Sequence, residues 1–230
     1  MKTSKIIFIS LLSTIALIIL AALADLRITG KRNDGRSDDF KTSKQMIPSF
    51  KVLSLTNSNN VQIVQNDSSF IEVTYLKDSV APDVKYTIKS DTLFISDLKK
   101  LNRRNVSISI NSTDLLSRIQ LKDSDFGIDN LNFKTMSFDL DKSSIWLNQN
   151  GKVKSSVNVV NLIARNHSNV DFNDFNIDSL GIVLYNSHAN LMITANKING
   201  SLSDSSRVFI RQVGEIALKK DATSNININD

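Results

Sequence analysis

The chain has 230 residues but contains no cysteine, two prolines and seven glycines. The absence of cysteine excludes disulfides, thiolate nucleophiles, thiolate metal sites and a lipid-modified cysteine. Such a chain has to be held together by core burial and backbone pairing. Because proline and glycine are so scarce, the turns have to be made by asparagine, aspartate and serine, whose side chains can hydrogen-bond to their own backbone.

Basic residues are only slightly more numerous than acidic ones, with 28 basic and 23 acidic residues and a formal net charge of +5. The densest basic cluster combines Lys99 and Lys100 with Arg103 and Arg104, which is typical of a solvated loop. A nucleic-acid-binding surface gathers its basic residues on one face, because each neutralised phosphate adds to affinity. We therefore expect no nucleic-acid partner.

The N-terminus carries the longest apolar run, an uncharged stretch over residues 6–24 that follows Lys2 and Lys5. Its length is close to the roughly 20 residues that cross a bilayer, so it predicts an N-terminal hydrophobic helix. The run ends in Ala22-Leu23-Ala24, a small-residue exit typical of a cleaved signal peptide. Residues 1–24 are therefore a signal peptide or a membrane anchor. Both alternatives place the remainder in the cell envelope, membrane-tethered or periplasmic or extracellular.

Residues 25–47 are polar and show neither strand nor helix periodicity, so they are interpreted as a linker. From residue 48 to residue 230 the pattern changes to short alternating runs such as Val61-Gln62-Ile63. A period of two is typical of β-strands, and no segment of this part keeps a helical period. The sequence therefore predicts one all-β domain over residues 48–230.

A repeat runs through the second half of this domain. A small or polar residue is followed by one free position and then by two apolar residues with another free position between them. A unit of this size cannot bury its own apolar face, so units have to stack. The pattern predicts a solenoid, a right-handed parallel β-helix. The repeats start at Ser124, Ser143, Ser168, Ala189, Ser206 and Ser224, with spacings of 19, 25, 21, 17 and 18 residues.

Stacking of equivalent positions predicts two inward-facing columns. The first is Phe126, Ile145, Val170, Leu191, Val208 and Ile226. The second is Ile128, Leu147, Phe172, Ile193, Ile210 and Ile228. An antiparallel sandwich is the alternative, and it predicts Asn-Gly hairpin turns. Asn199-Gly200 instead falls inside a predicted strand, which favours the solenoid.

The stretch from Phe50 to Ser96 resembles the opening of the head GIN domain, the auto-transporter adhesin family of Bacteroidota envelope proteins of unknown function. The segments that carry the resemblance are Phe50, Val61-Gln62-Ile63, Ile71-Glu72-Val73 and Asp91-Thr92-Leu93-Phe94-Ile95. The later repeats resemble the rest of that domain, although they have fewer glycines than many relatives. The resemblance implies a parallel β-helix at the cell envelope and no catalytic residues.

Few residues suggest chemistry. Asp171, Asp174 and Asp178 are the densest acids of the repeats, but the pattern places them outward or in a turn, which is typical of solvated carboxylates. His167 and His188 lie in turns of neighbouring repeats, and a two-histidine metal site there would lack further ligands. We therefore expect no enzymatic activity, no metal and no cofactor. The alternative is a β-helical enzyme acting on polysaccharide.

The free position between the two columns predicts an outward-facing surface. It holds Trp146, Met192 and Phe209, and we interpret these three as a partner surface for a glycan or protein ligand at the envelope. The last repeat, Ile226-Asn227-Ile228, predicts either a homo-oligomer through the C-terminal coil or cover of that coil by the linker. The sequence thus indicates a non-enzymatic adhesion or scaffold domain, with a self-assembling structural solenoid as a further alternative.

Overall fold

The computed structural model describes residues 39–101, 106–113, 116–129, 133–148 and 156–228. The predicted signal peptide or anchor, its hydrophobic helix and most of the predicted linker lie outside these residues. The chain divides into two compact units, one of residues 1–41 with 76–79 and one of residues 42–75 with 80–230. In the described part of the first unit, the Lys77 amide donates to the Asp39 carbonyl over 2.8 Å.

The described residues confirm an all-β fold, with a short 3-10 turn at Leu98–Lys100 and no α-helix among them. The strands β1 to β8 are Phe40–Met46, Val52–Thr56, Val61–Gln65, Phe70–Leu76, Tyr86–Lys89, Thr92–Ser96, Ser107–Ser112 and Arg118–Lys122. The strands β9 to β16 are Asp125–Asp129, Thr135–Asp141, Ser144–Asn148, Ser156–Arg165, Asn169–Tyr185, His188–Ser203, Arg207–Lys220 and Asn225–Ile228.

Strand β1 lies within the segment interpreted as a linker. It neighbours β4 in the sheet. Its side chains are exposed, apart from one that is half-buried. A strand without a buried face needs no apolar alternation, which is why the sequence shows no period of two there.

The strands form one large mixed sheet in which most pairs are parallel and distant in sequence. Strand β9 pairs with β11, β11 with β13, β13 with β14, and β14 with β15, all in parallel. A second parallel series joins β2, β8, β10, β12 and β13. The antiparallel pairs with a described register are β4 with β7 and β5 with β6. These pairings differ from the hairpin order of the sandwich alternative, and Asn199-Gly200 lies inside β14.

The predicted columns are confirmed except in one repeat. Phe126, Ile145 and Val170 are paired in sequence order and are at most 1% exposed. The next partner of Val170 is Ala189, not Leu191, and Leu191 pairs with Phe172 and Ile210. The predicted register was therefore wrong by two residues in this repeat. A shift of two keeps every apolar residue facing inward, so alternation could not detect it.

A column of buried serines runs through the turns beside these strands, and we call it the serine ladder. The backbone N–H of each serine donates to the Oγ of the serine in the next repeat over 3.1–3.2 Å. Each Oγ from Ser58 to Ser206 donates in turn to a carbonyl two or three residues earlier. The ladder consists of Ser58, Ser124, Ser143, Ser168, Ser187, Ser206 and Ser224, which are at most 6% exposed.

The serine ladder corrects the repeat spacing. Ser187, not Ala189, starts the fourth repeat, so the bonded serines from Ser124 onward are 19, 25, 19, 19 and 18 residues apart. At the last rung, the Ser224 amide donates to Oδ1 of Asp221 over 2.8 Å. Hydrogen bonds from Ser224, the Asp204 amide and Thr223 hold the pKa of Asp221 at about 2. This carboxylate therefore stays ionised at neutral pH and accepts the Ser224 N–H, the role that a serine Oγ has in the other rungs.

The turns confirm the expectation drawn from the scarcity of glycine. Thirteen described residues other than glycine have a positive φ, and all but Lys142 and His167 are asparagine, aspartate or serine. These short polar side chains tolerate the left-handed conformation better than other residues do. Ser90 and Asp91, for example, form the two-residue turn of the β5–β6 hairpin.

Replacing Ser143 by alanine tests the serine ladder. The substitution leaves the buried Ser124 N–H without its acceptor, so we expect a loss of about 1–3 kcal/mol in the free energy of unfolding. Chemical denaturation of the full chain measures the loss. Ser201→Ala on the exposed face of β14 is the matched control. A loss in Ser143→Ala no larger than in this control would show that the ladder does not stabilise the fold.

Candidate functional site

Trp146 lies on the outward side of β11 and covers a glycine. It pairs with Gly127 of β9, and a Cβ atom at Gly127 would overlap the indole atoms Nε1, Cε2 and Cζ2. Gly127 is buried beneath the ring, whereas Trp146 remains 40% exposed. The missing side chain lets the indole lie against the sheet, so one part of the ring is fixed and the rest is open to solvent.

A carboxylate and two amides lie on the next strands. Asp171 of β13 pairs with Trp146 in the register. Its Oδ1 accepts hydrogen bonds from Nδ2 of Asn173 over 3.1 Å and from Nδ2 of Asn190 over 3.0 Å. These bonds fix three polar side chains beside the indole. Each still offers further donor or acceptor positions, because a carboxylate accepts about four hydrogen bonds and an amide makes several.

Phe209 lies on the same line of outward positions, and Met192 lies on the neighbouring line. Asn190 pairs with Asp171 on one side and with Phe209 on the other, whereas Met192 pairs with Asn173. Met192 and Phe209 are both half-buried and are not partners in the register. We call the line the outer row. It consists of Gly127, Trp146, Asp171, Asn190, Phe209 and Asn227.

The outer row combines aromatic and polar side chains. Three strand spacings separate Trp146 from Phe209, or about 14 Å. Asp171 and Asn190 occupy the two positions between them. The arrangement can stack a flat apolar ring on the indole and hydrogen-bond polar groups next to it. The sequence pattern had placed Trp146 and Phe209 outward, but it gave no indication of Asn190 or of the role of Gly127, because both depend on which strand lies next.

The acids and histidines singled out from the sequence are not brought together for catalysis. Asp174 accepts from Arg211 over 3.1 Å, and Asp178 accepts from Asn196 over 3.1 Å, so both carboxylates have their own partners. His167, in the turn before β13, and His188, the first residue of β14, line a shallow surface depression. Nε2 of His167 lies 3.4 Å from Nδ2 of Asn186. No group of three or more potential metal ligands occurs within the described ranges.

Substitution of Gly127 tests whether the indole of Trp146 packs on this glycine. A valine there would push the ring off the sheet, so we expect stronger acrylamide quenching of fluorescence and a red-shifted emission. Trp146 is the single tryptophan of the chain, so the signal has one source. Asn227→Val, in the same row but four strands from Trp146, is the control. Unchanged quenching in Gly127→Val would contradict this placement of the ring.

No helix in the described part of the chain is long and apolar enough to cross a membrane. No protein-family model matches the sequence, and no curated protein matches it.

Three solved structures named "putative adhesin" resemble the chain. The protein from Bacteroides fragilis has 13% identity and a TM-score of 0.57 over 82% of this chain and 96% of its own. That from Parabacteroides merdae has 12% identity and a TM-score of 0.53 over 84% and 97%. That from Parabacteroides distasonis has 14% identity and a TM-score of 0.53 over 83% and 93%. The chain therefore shares the fold of these three proteins.

Proposed function

We propose that this chain is a non-enzymatic cell-envelope protein whose β-domain binds a glycan or protein partner through the outer row. The domain is a right-handed parallel β-helix. Parallel pairing of strands about one repeat apart supports the helix. Crossovers between parallel strands are right-handed in nearly all proteins because strands twist to the right. This rule supports a right-handed β-helix.

Adhesion at the envelope is supported by two independent likenesses. The three proteins that share the fold carry the name "putative adhesin". The segments quoted from Phe50 to Ser96 resemble the head GIN domain, so we assign the chain to that family. The leader over residues 1–24 supports export, and it provides contact with a membrane through residues 6–24 if it stays uncleaved.

The observation that carries the binding function is the exposed indole of Trp146 on its glycine seat. An aromatic ring fixed by the backbone loses little conformational entropy when a partner stacks on it. Asp171, Asn173 and Asn190 add hydrogen-bonding groups at one side. A sugar ring presents an apolar face and a polar rim, so this pairing of ring and amides suits a glycan.

The alternative of a polysaccharide-acting enzyme has less support. Glycoside hydrolysis requires two carboxyl groups that flank one bond. Asp171, Asp174 and Asp178 are each bound to amide or guanidinium partners. A groove on the β10–β14 face has Asp139 as the one carboxylate among its described lining residues, and this carboxylate is paired with Arg165.

Self-association through the C-terminal coil stays a prediction. Ile216 and Ile228 continue columns in which Ile198 and Ile210 are fully buried, yet each is 38% exposed. Burial of these side chains by a second copy would be favourable, which supports the predicted homo-oligomer.

A glycan panel tests the proposed function. The full chain is expected to bind at least one immobilised oligosaccharide, and Trp146→Ala is expected to weaken that binding about tenfold or more, because central aromatic contacts dominate binding energy. The matched control is Phe94→Ala, since Phe94 is also 40% exposed but lies on β6. Equal losses in both variants, or no binding to any glycan or purified envelope protein, would refute the proposal.

A further inference from the structure

A groove crosses the sheet on a line of outward positions separate from the outer row. It spans β8, β10, β12, β13 and β14 and encloses about 360 Å³, within the range of small-molecule sites. One line of lining residues runs across the strands in direct register. This line is Arg118, Ser137, Asn161, Gly181 and Asn199.

Part of the groove is open because Gly181 lacks a side chain. A Cβ atom there would lie 2.9 Å from Oδ1 of Asn161 and 3.6 Å from Oδ1 of Asn199. Two amide side chains therefore flank a gap on the strand between them. Gly200 in the wall has a φ of 141°, and any Cβ there would overlap the Ile182 carbonyl, so this backbone is restricted to glycine.

Among the described residues of the groove and its surroundings, Arg118 is a cation that forms no ion pair. Asp139 is paired with Arg165 over 2.6 Å, and Glu215 is paired with Lys197 over 3.1 Å. Arg118 lines one end of the groove and forms no ion pair within the part of the chain that the structure describes. An exposed guanidinium that is not engaged in an ion pair is suited to bidentate binding of a carboxylate.

We propose that this groove binds an acidic oligosaccharide that lies across the strands, with one carboxylate on Arg118. The groove spans four strand spacings, or about 19 Å, which accommodates several sugar units. Successive strands are separated by about the length of one pyranose ring, so Ser137, Asn161 and Asn199 can meet hydroxyl groups of successive units. An extended peptide would instead pair with a sheet edge through its backbone. The inference deepens the proposed binding function by adding a second site and a ligand class.

Titration of the full chain with a uronic acid hexamer tests this site, with an uncharged glucose hexamer as the comparison ligand. We expect the acidic hexamer to bind with an affinity that falls as salt is raised, and the neutral hexamer to bind at least tenfold more weakly. Arg118→Gln should lose at least tenfold in affinity. Arg207→Gln, an exposed arginine outside the groove, should bind like the wild type. Gly181→Val should fill the gap and abolish binding, with an unchanged melting temperature as evidence of folding.

The outcomes separate this inference from the proposed function. If Arg118→Gln and Gly181→Val bind the acidic hexamer like the wild type while Trp146→Ala does not, the ligand belongs to the outer row. The proposed function would then stand and the groove assignment would fail. Equal affinity for both hexamers, no binding of the acidic one, or its displacement by equimolar inorganic phosphate would also overturn the groove assignment.

Discussion

The hydrogen bond from one serine N–H to the next serine Oγ is the constraint on which the remaining structure depends. It occurs at the turn where the chain passes from one parallel series of strands to the other, in each step from Ser58 to Ser224. The turn backbone there is buried and would otherwise leave its N–H groups without acceptors, which is costly. The Oγ of each serine accepts the N–H of the neighbouring serine, and the same hydroxyl donates to a carbonyl of its own turn. The side chain is also small enough to be enclosed.

The ladder fixes the register, and the register determines both surfaces. Once Ser143 lies on Ser124 and Ser168, Trp146 has to lie over Gly127 and beside Asp171. The pairing of β13 with β14 shifts after Asn173, and that of β14 with β15 shifts after Leu191. Beyond the first shift the groove residues Gly181 and Asn199 are register partners. The outer row and the groove are therefore consequences of the same stacking, although they present different chemistry.

The sequence predicted the strands, the apolar columns and the polar turns because these depend on local alternation and on residue type. It identified five of the seven serines as repeat starts, but it took Ala189 for Ser187, because a two-residue shift leaves the inward pattern unchanged. It missed the strand at Phe40–Met46, which has no buried face. The packing of Trp146 on Gly127 and the gap at Gly181 could not be predicted, because the first joins residues of two strands and the second residues of three strands that are distant in sequence. Glycine in a strand was the one available signal for both.

Native-state hydrogen exchange of the serine amides tests the central constraint most directly. If the ladder is formed, the backbone N–H groups of Ser124, Ser143, Ser168, Ser187 and Ser206 should exchange as slowly as amides in the strand cores, because release of each requires the stack to open. Exchange of these five amides at rates typical of exposed turns, in a chain whose strand amides remain protected, would contradict the account.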